Sequence, residues 1–125
     1  MELTSLLLKD LKNSKFQLIS EYVYRTKKYI IRVPEGFITD FASVPQVFNI
    51  FIQPYGKHSP ASVIHDWLYS KECNLVLSRK EADTIFLEIL KEEKVNIIKC
   101  YIMFFMVRIF GRKYFKNKIE FKIKK

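Results

Sequence analysis

The sequence predicts an α+β fold, a small antiparallel β-sheet packed on three α-helices. Three observations carry that expectation. Residues 16–24 alternate with period two, which is the strand period, and Tyr29–Val33 reads as a second strand. Helix-start signals stand at Ser59 and Ser78, and a third apolar stretch runs to a glycine at position 111. Gly and Pro number only three and four in 125 residues, so loops do not dominate the chain. That length suits one domain with one core, and 49% hydrophobic residues argue against disorder.

Phe16, Leu18, Ser20, Tyr22 and Tyr24 alternate with Gln17, Ile19, Glu21, Val23 and Arg25. Arg25-Thr26-Lys27-Lys28 reads as a polar turn and Tyr29–Val33 as the returning strand of an N-terminal hairpin. No Asn-Gly or Asp-Gly marks that turn. Pro34-Glu35-Gly36 reads as a second turn, with proline at i+1, before a short strand Phe37–Thr39. A loop Asp40–Pro45, an apolar piece Val47–Ile52 and a loop Pro54–His58 follow.

Ser59 before Pro60 predicts a helix with a hydroxyl N-cap and proline at the first position, running to about Ser70. Ser78-Arg79-Lys80-Glu81 is a capping box opening a helix to about Glu92. The third helix spans about Val95 to Phe110, with Gly111 as its C′ residue. Cys100 to Val107 is a run of eight apolar residues, short of the ~20 needed to cross a bilayer. A helix apolar on all sides reads as the central core helix; an oligomer interface or a membrane-lying helix are the alternatives. From Phe115 to Ile123 alternation returns, permitting a C-terminal edge strand guarded by lysines, or a tail that orders on a partner. The expected division is one domain over residues 1–112 and a basic strand or tail over 113–125.

Cys73 and Cys100 form no CxxC and match no zinc spacing, so two buried free thiols are expected, as in a reducing cytoplasm. The N-terminus lacks a basic n-region and does not read as a signal peptide. The net charge of +9 is uneven: residues 1–107 hold 14 Lys/Arg against 12 Asp/Glu, and residues 108–125 hold eight against one. The cations of that end are Arg108, Arg112, Lys113, Lys116, Lys118, Lys122, Lys124 and Lys125. They suit an acidic partner such as nucleic acid or an anionic membrane; the plainer reading is a solubilising terminus.

The candidate site starts from the first helix. Ser62, His65, Asp66 and Tyr69 fall at i, i+3, i+4 and i+7, on one face. An ordinary wet face carries Lys, Glu and Gln; this one carries groups that move protons or ligate metals near neutral pH. Asp83 lies among Phe86, Leu87 and Leu90, within the apolar arc of the second helix. A carboxylate there requires a partner: Arg79 at i−4, or the His65–Asp66 helix across the core. Asp40 and Ser43 sit just past a strand end, where sites often form; the plainer reading is an Asx-turn with Ser43 capping the segment before Pro45.

Val33-Pro34-Glu35-Gly36-Phe37-Ile38-Thr39-Asp40-Phe41-Ala42-Ser43-Val44-Pro45, followed by His65-Asp66-Trp67-Leu68-Tyr69, resembles the family catalogued as domain of unknown function 1353. Arg79, Ala82 and Asp83, and the stretch Val107–Gly111, also fit its pattern, so the likeness covers about residues 30–112. The resemblance implies phage or prophage ancestry, hence a host-cell cytoplasmic protein, and supplies no activity.

Function is therefore argued from residue types. Asp40, His65 and Asp83, if they converge, suit one divalent metal (zinc, manganese or iron) that activates water in a hydrolase, with Asp66 and Tyr69 in the same pocket. Ser43 as nucleophile with His65 as base is a lesser variant, since no Gly-x-Ser-x-Gly elbow surrounds it. The alternatives are a binding or inhibitory protein acting on a host protein, another phage protein or nucleic acid, and a virion or tail-assembly component. In these the polar groups only fix the fold. No transmembrane segment is expected, and the oligomeric state is left open.

Overall fold

The computed structural model describes residues 1–13, 15–39 and 56–117. Within them five strands and three helices form an α+β fold: β1 Leu8–Lys12, β2 Lys15–Leu18, β3 Tyr22–Arg25, β4 Ile30–Val33, β5 Ile38–Thr39, α1 Ser59–Tyr69, α2 Arg79–Glu92 and α3 Ile97–Phe110. A short 3-10 helix, Gly111–Tyr114, continues from α3.

The alternating stretch from Phe16 to Tyr24 divides into two strands in two antiparallel sheets, of order β1-β2-β5 and β3-β4. One register runs through both, pairing Phe16 with Thr39 and Tyr22 with Val33. The expected hairpin is therefore present but interrupted. Pro34 supplies the physical cause, since it has no N–H for the ladder. The turn there places Pro34 at its first position, not at i+1. Phe37 N–H donates to Pro34 O at 3.2 Å, and Gly36 takes the positive φ of +90° that the turn needs. At the other hairpin end, Thr26 replaces the missing Asn-Gly. Its hydroxyl accepts from Tyr29 N–H at 3.0 Å, and its own N–H donates to Tyr29 O at 2.8 Å.

Two N-terminal elements lay outside the sequence expectation. β1 pairs with β2 through a tight turn in which Lys12 and Asn13 have φ of 69° and 55°. Residues at the extreme N-terminus line the free edge of β3, where Leu3 N–H donates to Val23 O and Arg25 N–H to Met1 O, both at 2.9 Å. The signal was weak because β1 (LKDLK) leaves most of its residues exposed.

The helices fall close to their expected bounds. Ser78 caps α2 by accepting from Glu81 N–H at 3.1 Å, as a capping box requires. The Glu81 carboxylate instead accepts from Tyr29 Oη at 2.9 Å, and Tyr24 donates to Glu93 at 2.9 Å, so the β3-β4 sheet is tied to α2. The α1 cap shifts by one residue: His58 is the N-cap, and the Ser59 hydroxyl accepts from Gly56 N–H at 2.8 Å. Both cysteines are buried free thiols. Among the described residues no helix is long and apolar enough to cross a membrane.

The core helix is α1, not α3. In α1 every residue except the half-buried Asp66 is buried, and it packs against α2, β4 and β5. In α3 only Cys100, Met103, Met106 and Val107 are buried. Composition misleads here because α3 contacts the body along one side through α2 and leaves the rest of its apolar surface outside. The start of the basic end is also part of the body. Phe115 and Asn117 are buried, and Asn117 Nδ2 donates to Leu68 O at 2.8 Å and Leu75 O at 2.7 Å, tying off the end of α1. The alternation expected to form an edge strand continues beyond position 117, outside the described residues.

Candidate functional site

Asp83 is the centre of the site. It sits in the first half of α2, on the side that packs against α1, and is 0% exposed. His65 and Tyr69 lie one helical turn apart on α1, so both reach it. His65 Nε2 is 2.7 Å from Asp83 Oδ1, and Tyr69 Oη donates to the same oxygen at 2.6 Å. Arg108, near the end of α3, donates from Nη1 to Oδ2 at 2.7 Å. Arg79 forms an i,i+4 ion pair with Oδ2 at 3.5 Å. The two partners expected for Asp83, Arg79 and the histidine helix, are thus both present.

Arg79 has a second task that the sequence did not suggest. Its guanidinium donates to Val107 O at 3.1 Å and Arg108 O at 3.2 Å, groups at the carbonyl end of α3. A cation there adds donors to carbonyls of the last turn and complements the helix dipole. Asp83 and Arg79 therefore join all three helices at one point.

Electrostatics follow from this crowding. Burial alone would push the Asp83 carboxyl up, but the hydrogen bonds and charge of His65, with those of Tyr69 and Arg108, outweigh it and hold the group below its ordinary range. Burial raises the Tyr69 phenol strongly, and its bond to Asp83 adds to that despite an opposing pull from Arg79, so Tyr69 is a permanent donor. An ionised Asp83 accepts from the Nε2–H of His65, which in the neutral imidazole leaves the ring lone pair on Nδ1. Nδ1 has no hydrogen-bond partner among the described residues. The ring is held between Tyr69 and Phe86, at centroid distances of 4.1 and 4.7 Å.

Gly111 belongs to the same construction. A Cβ at this position would lie 2.9 Å from Tyr69 Oη, so the glycine is required by close approach of the phenol. The C′ explanation does not hold, because its φ of −77° is ordinary helical backbone.

Asp66 serves a different wall. Its Oδ2 accepts a short hydrogen bond from Thr39 Oγ1 at the end of β5, which fixes the strand to α1. Asp66 and Tyr69 line a cavity of about 200 Å³ with Phe37, Ile38, Ser70, Tyr114 and Lys116. Ser62 is buried on α1. Asp40 and Ser43, expected in the same pocket, lie outside the described residues; Thr39 is the last described residue before them. Among the described residues no three His, Cys, Asp or Glu side chains form a metal-holding cluster. The expected ligand Asp83 has both oxygens committed to protein partners.

The basic residues separate into two groups. Arg108 turns inward to Asp83. Arg112 and Lys113 are exposed, Lys113 lying over the Tyr114 ring at 5.2 Å. Lys116 is exposed and lines the cavity, while its backbone N–H donates to Tyr69 O at 2.7 Å. Lys118, Lys122, Lys124 and Lys125 lie outside the described residues.

Residues that converge on Asp83 or frame it (His65, Tyr69, Arg79, Arg108 and Gly111) recur in the blocks through which the sequence resembled a known family. The comparison agrees: the family described as protein of unknown function, DUF1353, matches residues 16–107. The chain belongs to that family. No curated protein and no solved structure matches the chain.

Proposed function

We propose that the protein is a small hydrolase in which His65 acts on water through Nδ1, with Asp83 orienting the ring. The observation that carries this reading is the 2.7 Å pair between His65 Nε2 and an Asp83 held by three further donors. A buried carboxylate that fixes one ring nitrogen leaves the other to take a proton or to bind a metal. Tyr69 and the two arginines lock the carboxylate, so the imidazole is the group left to react. Tyr69, which donates to Asp83, also lines the neighbouring cavity, whose Phe37, Ile38 and Lys116 suit a substrate with an apolar portion and an anionic or ester group. In this reading Asp83 supports the imidazole, and the metal proposal becomes one divalent zinc, manganese or iron at Nδ1 with Asp40 as a carboxylate ligand.

The test is hydrolysis of chromogenic carboxylic and phosphate esters by the purified chain, with and without chelator. His65→Gln should abolish turnover, while Tyr69→Phe should reduce it modestly. Turnover lost to chelator and restored by one of the three metals assigns Nδ1 to a ligand; chelator-resistant turnover assigns it to the base. Activity unchanged in His65→Gln would sink the proposal.

A second reading rests on burial. His65 is 1% exposed and Asp83 is fully covered, and a buried network of this kind can serve only to fix the core. The protein would then be a phage-derived accessory, a binding or inhibitory protein or a tail component. A His65→Gln variant that binds its partner normally favours that reading.

A further inference from the structure

The outer face of α3 is apolar along its whole length. Ile98, Tyr101, Ile102, Phe105 and Ile109 recur at helical spacing and form one stripe on the side away from Cys100, Met103 and Val107. Ile98 and Ile109 are each 68% exposed and Phe105 is 56% exposed, levels at which scattered surface leucines would attract no notice. Continuity is what sets this stripe apart. The one charged side chain within its arc, Arg108, is folded back onto Asp83 and does not interrupt it.

The charged residues of α3 and its flanks have one sign, and the nearest preceding carboxylates, Glu92 and Glu93, are bonded to Tyr24. From Lys94 to Ile119 the sequence contains no Asp or Glu. Lys94 and Lys99 are exposed at one end of α3, and Arg112 and Lys113 at the other. Lys91 reaches the stripe's margin, where Nζ donates to Tyr101 Oη at 2.9 Å. Tyr101 itself is an amphipathic side chain of the kind that sits at the boundary of lipid and water.

We infer that α3 docks the protein on an anionic lipid bilayer, lying in the interface with the Ile98–Phe105–Ile109 stripe among the acyl chains and the flanking cations at the headgroups. Three arguments select this occupant. An apolar stripe bounded by Lys and Arg, without acids, matches the layered chemistry of an anionic membrane surface. Crossing is excluded, because 14 residues rise only about 21 Å against a hydrocarbon core of ~30 Å. A second copy fits less well, because a two-fold contact through this stripe would bring the same cations of both copies together with no carboxylate between them. The inference is independent of the hydrolase reading.

Vesicle co-sedimentation of the full chain tests it. Wild type should sediment with vesicles of equal phosphatidylcholine and phosphatidylglycerol, and weakly with phosphatidylcholine alone. At about 1 M salt, where the Debye length is ~3 Å, the preference for anionic vesicles should disappear. The double substitution Phe105→Ser with Ile109→Ser should weaken partition about tenfold or more, equivalent to ~1.4 kcal/mol. Circular dichroism checks that this variant is folded; both sites are exposed, and the single Phe105→Ser stands in if it is not. Sedimentation undiminished by folded face variants would overturn the inference, since the basic end would then suffice. No sedimentation of wild type with anionic vesicles would overturn it as well. So would a dimer in analytical ultracentrifugation that the same substitutions dissolve, because the stripe would then be covered by a second copy.

Discussion

The α1–α2 contact and the outer face of α3 invert each other. At the first, a carboxylate, an imidazole, a phenol and two guanidinium groups converge, with Asp83 and His65 wholly inside the protein. At the second, isoleucines and aromatics stand in solvent. Each breaks the ordinary rule of burial, and the compensations differ. Around the Asp83 carboxylate the buried groups satisfy one another, so that exception is closed within the chain. The exposed stripe has no such closure among the described residues, so its exception points outward. The lesson is that the polar core holds the molecule together, whereas the apolar surface is free to bind something else.

Substitutions sharpen that contrast. Asp83→Ala should have the largest effect, costing about 3–5 kcal/mol in urea unfolding, because two arginines, a histidine and a tyrosine lose their common acceptor. A cost below about 1 kcal/mol would show that water or rearrangement replaces the carboxylate, and the comparison would lose its first half.

Gly111→Ala should cost about 1–3 kcal/mol through collision with Tyr69 Oη, since the backbone there is unstrained. Most of that penalty should vanish in a Tyr69→Phe background, measured as a double-mutant cycle. An additive cycle would separate Gly111 from the network.

Acid should act through the same carboxylate. The folded Asp83 has its pKa lowered from the ordinary 3.8, so its contribution is complete above that value and is lost as pH falls through the folded pKa. Stability of wild type should therefore fall on acidification more steeply than that of Asp83→Asn. Parallel acid limbs would contradict this assignment.

The smallest effect belongs to the other region. Phe105→Ser should change unfolding free energy by no more than about 0.5 kcal/mol, because the side chain is more than half exposed. A loss of 2 kcal/mol or more, on the order of a buried phenylalanine's contribution, would mean that the stripe is covered in solution.

Much of this was legible in the sequence, and the misses have identifiable causes. Three helices were placed by Ser59-Pro60, the Ser78 capping box and the apolar run before Gly111, because cap and period signals are local. Pro34 interrupted a hairpin that alternation alone made continuous, and β1 escaped because a mostly exposed strand lacks clear alternation. For the site, Asp83 declared its need for partners by standing among apolar positions. His65 and Tyr69 were flagged by an unusual helix face. Thr39 and Asn117 gave no comparable signal, since a threonine at a strand end and an asparagine in a basic stretch are unremarkable until tertiary contacts give them partners.

The sequence by itself determined the α+β class, the helix boundaries to within about two residues, and the requirement that Asp83 be paired, because these follow from local propensity and from the high cost of an unpaired buried charge. Only the tertiary structure decided which helix is central, that Arg108 turns inward, that Gly111 yields space to a phenol, and that Asp66 and Asp83 face different surroundings. Those outcomes depend on which side of each helix meets a neighbour, and helical periodicity lists the faces without naming what each will touch.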